Sequence, residues 1–234
     1  MKFSFEEEQL LFAEAIREML KKFCSPEIIN NFTESDSATI PELWDSLSSM
    51  GVLGMAAPTT VGGLEMSDED FVLIMEELGR AGCPEPVMEH AVLSIPLIEE
   101  CNNENQYTDL IESAVNGDKR ISIGLEGHYV VGADSADYLL LFQGGLLHLV
   151  ARESIELQHQ SSVDASRRLF SVNWESSAGT IIENDPNKAR SLMEKTKLRA
   201  EVATAAQSIG VAGRLLDMTV QYVQERNQFG KPVG

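Results

Sequence analysis

An α+β, multi-domain fold is predicted by three features of the sequence. Apolar residues recur at helical spacing through the first half, short apolar runs broken by glycine fill the middle, and an unbroken helical repeat runs from Lys188 to Gly230. The expected order is an N-terminal all-α domain at 1–117, a small middle β-barrel or sandwich at 118–185, and the first long helix of a C-terminal helical bundle at 186–234.

Ser4, Phe5, Glu6 and Glu7 read as a capping box, after which Leu11, Phe12, Ala15, Ile16, Met19, Leu20 and Phe23 form one apolar face. That helix should end before Pro26. Thr39 to Glu42 repeats the start signal with proline in the first turn, and Leu43, Trp44, Leu47 and Met50 mark a short helix closed by Gly51. Gly51 to Pro58 is apolar and small without helical polarity, so it reads as a buried connector, and Thr60 to Gly63 as a turn. Ser67 to Asp70 should cap a helix that presents Phe71, Ile74, Met75 and Leu78 and stops at Gly79 to Gly82. Val87 to Glu100 is predicted helical with a kink at Pro96, and Gln106 to Val115 forms a further short helix. Glu85, Glu89, Glu99 and Glu100 read as a solvated face.

From Asp118 the texture changes. Strands are expected at Ile121 to Leu125, Tyr138 to Phe142, Leu146 to Val150, Ile155 to Gln158 and Leu169 to Trp174. Gly144 and Gly145 signal a hairpin turn. Pro186 and Asn187 then open the last helix. Its apolar stripe is Leu198, Val202, Ala205, Ile209, Ala212, Leu216, Val220 and Val223, and Gly230 and Pro232 should stop it. A helix that long cannot bury its stripe against one small domain, so neighbouring helices from another copy or a partner chain are expected.

The net charge of −19 argues against nucleic acid and anionic membrane surfaces, and any polyanionic ligand needs a local cationic site. Three scattered cysteines, Cys24, Cys83 and Cys101, suit reduced thiols in a cytoplasm. No leader with an apolar core and no membrane span is legible, and the four histidines lack metal-ligand spacing. Arg226, Gln228 and Phe229 combine a forked cation, an amide and an aromatic ring, a set suited to a pyrophosphate carrying a flat ring system.

Ala206 to Ala212 followed by Tyr222 to Gly234 resembles the acyl-CoA dehydrogenase family at the first helix of its C-terminal domain. Met50 to Pro58, Val61 to Leu64 and Met75 to Arg80 resemble the same family's N-terminal domain, where such pieces wall the acyl-thioester pocket. Ala136 to Leu141 and Asp164 to Leu169 resemble the shorter β-domain of members grouped with bacterial degradation of steroids and other bulky acids. The resemblance implies a FAD-dependent α,β-desaturation of an acyl-CoA, with Arg226, Gln228 and Phe229 contacting the FAD of a neighbouring subunit. It implies a homo-oligomer or a heterotetramer with another such subunit, and an electron-transfer flavoprotein as acceptor. Arg80, Arg167 and Arg168 are alternative anion contacts, although the Arg167 and Arg168 pair suits nearby acids or water equally.

Two departures qualify the expectation. The family's Thr-Glu-Pro and Gly-Ser-Asp elements are replaced by Ser122 to His128, where only Glu126 matches. The Trp-x-Thr element that stacks on flavin is absent, and Trp174 stands at the wrong place for it. The family's general base lies in helices beyond position 234, so no catalytic residue is assigned within the chain, which reads as truncated or trimmed. The alternative is a non-catalytic subunit that completes a partner's FAD site or scaffolds it.

Overall fold

The computed structural model describes residues 4–125, 129–229 and 231–232. It has the expected α+β architecture of N-terminal helices, a middle sheet region and a long last helix. Glu126 and His128, which bear on the flavin comparison, lie outside the described residues.

Helix α1 (Glu7–Phe23) is capped at Glu6, two residues later than the Ser4 signal. The capping box is Glu6 with Gln9, whose side chain accepts the Glu6 N–H at 2.6 Å, while Ser4 is exposed. Ala13 joins Ile16, Met19 and Leu20 on the buried face, and Leu11 and Ala15 face outward. Helix α2 (Pro26–Glu34) was not expected. Ser25 caps it by accepting from the Ile28 N–H, and proline in its first turn starts a helix as readily as it ends the one before. Helix α3 (Pro41–Ser49) ends at Gly51, whose φ of +75° suits glycine. The connector after it is buried through Val52, Leu53, Met55 and Ala57. Helix α4 (Phe71–Ala81) buries Phe71, Ile74, Met75 and Leu78, and Asp70 accepts from the Ser67 N–H and hydroxyl ahead of it.

A π-helical turn, Met88–Ser94, leads into α5 (Ile95–Glu100), followed by α6 (Thr108–Val115). The solvated face assigned to Glu85 and Glu89 is overturned. Both are buried, and each is held by an arginine from the β-region: Glu85 by Arg120 at 2.7 Å and Glu89 by Arg167 at 2.6 Å. Carboxylates four residues apart in a polar-looking sequence carry no mark of the cations that fold back onto them. Glu99 and Glu100 keep partial and full exposure, and Glu100 pairs with Lys195.

Among the described residues, seven strands of the middle region form two sheets. The first has the order β1 (Ile121–Gly124), β3 (Tyr138–Gln143), β4 (Leu146–Ala151), β7 (Ile181–Glu183), with β1 and β3 parallel. The second is β2 (Tyr129–Val131), β6 (Leu169–Asn173), β5 (Glu156–Gln160). Strands β2 and β7 went unpredicted because three-residue strands carry too few residues for an alternation signal. Gly144 and Gly145, at φ +62° and +83°, make the two-residue turn that sets Gln143 opposite Leu146. The run Leu139 to Leu141 is apolar on both faces for a reason. Leu139 and Leu141 meet Val130, Phe170 and Val172 of the second sheet, while Leu140 joins Ile121, Ile123, Leu147 and the helices.

Helix α7 (Pro186–Glu225) spans 40 residues, roughly 60 Å at ~1.5 Å per residue. Asp185 caps it, its carboxylate accepting from the Asn187 N–H at 2.9 Å. Its end is corrected from Gly230 to Glu225. The backbone turns extended at Arg226, and Asn227–Gln228 (β8) pairs with Lys231–Pro232 (β9). The face that packs on the domain is Ala189, Leu192, Met193, Thr196, Ala200, Ala203, Ala206 and Gly210. The expected stripe instead stands outward, with Leu198, Val202, Ile209, Leu216 and Val220 all exposed.

Candidate functional site

The α4–α7 crossing organises the site. Small residues let the two backbones nearly touch. A Cβ on Gly79 would lie 2.1 Å from the Gln207 carbonyl oxygen, and one on Gly210 would lie 1.9 Å from that of Glu76. On one side of this seam lies a groove of about 590 Å³, within the range of small-molecule sites. Its walls come from Ile29 of α2, Leu78, Gly79, Gly82 and Cys83 at and just after the end of α4, Asp164, Ser166 and Arg167 ahead of β6, and Thr204, Gln207, Ser208, Val211 and Leu215 of α7. On the other side lies a second groove, about 440 Å³, bordered by Arg17, Lys21, Glu77, Arg80, Arg214 and Asp217.

Most charges near the first groove are already committed. Arg167 is tied to the buried Glu89, and Arg168 to Asp134 at 2.6 Å. Asp164 accepts from both the N–H and the hydroxyl of Ser166. Arg80 points away, to Asp217 at 2.5 Å, with its guanidinium laid across Gly213. Of the three alternative anion contacts, only Arg167 therefore borders this groove. Sequence reasoning missed Thr204, Gln207 and Ser208, which line it. Their helical position was legible, but the crossing that turns them toward a cavity was not.

Arg226, Gln228 and Phe229 stand together at the far end of α7, all exposed. Phe229 is 102% exposed and held at φ +54°. The Arg226 guanidinium lies 5.4 Å from the Tyr222 ring and has no carboxylate partner among the described residues. The tip thus presents a forked cation, an amide and a ring to solvent. The Ser122 hydroxyl is spent on the Val131 carbonyl at 2.6 Å, and Trp174 packs edge-on against His148.

Beneath the seam, His90 pins the helical and β parts together. Its Nε2 donates to the Ala114 carbonyl and its Nδ1 accepts the Ile121 N–H, each at 3.1 Å. Burial holds its pKa down, at about 4. No group of metal-ligating side chains and no helix long and apolar enough to cross a membrane occurs among the described residues.

Residues 6–118 match the family described as acyl-CoA dehydrogenase, N-terminal domain. Acyl-CoA dehydrogenase IpdE2 of Mycolicibacterium smegmatis is 29% identical over 229 residues, covering 97% of this chain and 68% of that protein. The caffeyl-CoA reductase-Etf complex subunit CarC of Acetobacterium woodii is 23% identical over 274 residues, covering 98% of this chain and 72% of that one. Among solved structures, the ChsE4-ChsE5 complex from Mycobacterium tuberculosis matches with a TM-score of 0.84 at 20% identity, over 100% of this chain and 71% of that one.

Proposed function

Because the chain belongs to the acyl-CoA dehydrogenase family, we propose that it works in the FAD-dependent α,β-desaturation of an acyl-CoA thioester, as one subunit of an oligomer. The observation that carries this reading is the exposed tip of Arg226, Gln228 and Phe229 at the end of a helix whose outer face is apolar and uncovered. A homo-oligomer or a heterotetramer with a second such subunit would cover Ile209, Leu216 and Val220 and bring the tip to a neighbour's dinucleotide. The division at 117/118 and 185/186, and a cytoplasmic setting for three unpaired cysteines, belong to the same reading.

Each residue has an assigned part. Arg226 donates to pyrophosphate oxygens, Gln228 hydrogen-bonds the cofactor, and Phe229 covers its apolar surface. The groove beside Gly79 holds the acyl group, and its walls exclude water from the reacting carbons. A bound FAD supplies the acceptor for the hydride from Cβ, and an electron-transfer flavoprotein is the expected next acceptor. Asp164 accepts twice from Ser166 on one oxygen, and no carboxylate of the chain is assigned to take the α-proton.

A second reading has its own support. With Ser122 spent internally and Trp174 packed on His148, this subunit could complete a partner's FAD site without housing its own. Intact mass spectrometry and flavin absorbance of the purified protein, alone and with a partner, separate the two. In either case Arg226→Ala should weaken FAD binding by about 2 kcal/mol, the worth of a charge-assisted hydrogen bond. FAD titration with an unchanged affinity refutes the role of the tip.

A further inference from the structure

Helices α1 and α4 run side by side in the same direction and are tied at matched positions. The Gln9 amide donates to Asp70 near their starts. Arg17 grips Glu77 at mid-length, through Nε at 2.8 Å and Nη2 at 2.5 Å. The same register brings the ends together at Cys24, the C-cap of α1, and Cys83, one residue past the Gly82 cap of α4. The two side chains meet there, and the thiols share a hydrogen bond. Both backbones are fixed by the helix ends. The Cys24 N–H donates to the Leu20 carbonyl at 2.8 Å, and the Cys83 N–H to the Leu78 carbonyl at 3.0 Å.

The pair is reached from two sides. Cys24 borders the groove edged by Arg17, Lys21, Arg80 and Arg214, and Cys83 borders the groove beside Gly79. In the first groove those four cations outnumber two acids, Glu77 and Asp217, although the whole chain carries −19. A negatively charged reagent is therefore favoured on the Cys24 side. The hydrogen bond to Cys24, and then burial, hold the Cys83 thiol well above its usual range, which suits it to the second step of an exchange. Cys101 is fully buried at the end of α5, and burial pushes its thiol up to about 12.

We propose that Cys24 and Cys83 are a redox-sensitive dithiol that an anionic low-molecular-weight disulfide closes into a covalent link between α1 and α4. The Cys24 thiolate attacks one sulfur of the small disulfide, which forms a mixed disulfide and releases one small thiol. Cys83 then gives up its proton and attacks the Cys24 sulfur, expelling the second small thiol. Two protein thiols are oxidised, one small disulfide is reduced to two thiols, and each protein proton ends on a released thiol. The product closes the chain between positions 24 and 83 and ties the helix ends where the two grooves meet. This site is independent of the acyl-CoA reading.

The test incubates the reduced full chain, freed of reductant, with glutathione disulfide. Remaining thiols are alkylated and the protein is cut after glutamate, which separates Cys83 from Cys101. The expected product is a Cys24–Cys83 linked peptide with Cys101 alkylated. The melting temperature should rise by about 5–10 °C and return on adding dithiothreitol. Cys83→Ser should stop at a glutathione adduct on Cys24, and Cys101→Ser should behave as the parent does. A link through Cys101, a link between chains, a lasting glutathione adduct on Cys24 of the parent, or three free thiols at saturating oxidant overturns the proposal. The peptide map of the parent decides this even where a variant fails to fold.

Discussion

Replacing Gly210 with alanine sets two known effects against each other. In a helix interior, alanine is favoured over glycine by about 1 kcal/mol, so an isolated α7 would gain stability. At the seam the added methyl would sit 1.9 Å from the Glu76 carbonyl oxygen and 2.7 Å from the Arg80 nitrogen, both backbone atoms. Ordinary van der Waals contact begins at 3.4 Å, so the helices must separate by about 1 Å or more. That strips contacts from Ala203, Ala206, Met75 and Leu78, all buried against the same line. Overpacking of this kind costs about 1–3 kcal/mol, and the upper end applies because neither neighbour is a flexible side chain. The net loss expected is about 2 kcal/mol, or about 4–8 °C in melting temperature for a chain of this size. Gly213→Ala is the internal control. Its methyl would meet only the end of Arg80, 2.8 Å away, which can swing aside, so the propensity gain of up to about 1 kcal/mol should leave the melting temperature equal to or above the parent's. Thermal denaturation of the three proteins side by side decides the matter. If Gly210→Ala melts at or above the parent, backbone contact at the seam is not what holds α7 to α4.

Two other perturbations follow from the buried charges. Arg120→Met leaves the Glu85 carboxylate, 1% exposed, without its cation and should cost about 3–5 kcal/mol in urea denaturation; the double variant with Glu85→Gln should recover much of it. His90 has a folded pKa of about 4, below the unfolded value near 6.5, so the unfolded chain takes the proton first. The stabilisation is complete above about pH 6.5 and is lost as pH falls toward 4, by about 3 kcal/mol in all (roughly 2.5 units at ~1.36 kcal/mol each). An imidazole NMR titration placing His90 near 6.5 in the folded protein contradicts this.

Where local chemistry decides, the sequence was a sufficient guide. Gly51 and the Gly144 and Gly145 turn each lie where their residues demand, while Asp70 spends its carboxylate on Ser67 and does not cap α4. The departures share one cause. Glu85 and Glu89 looked solvated because Arg120 and Arg167, 35 and 78 positions away, are brought to them only by folding. The turn at Pro26 was read as a stop because the same proline signal serves both ends of a helix. The stripe from Leu198 to Val223 was the strongest periodic signal in α7, yet the domain uses the small-residue face beside it, since only glycine and alanine let α4 approach so closely.

Most of the helices and strands, the start of α7 at Pro186 and the composition of its Arg-Asn-Gln-Phe tip were written in neighbouring residues, because caps, turns and apolar periods act over a few positions. The groove was not. Its close backbone approach at Gly79, its lining from α2, α4 and α7 and its arginine balanced by Glu89 exist only where separate segments meet, and meeting is set by packing between faces that no local pattern identifies.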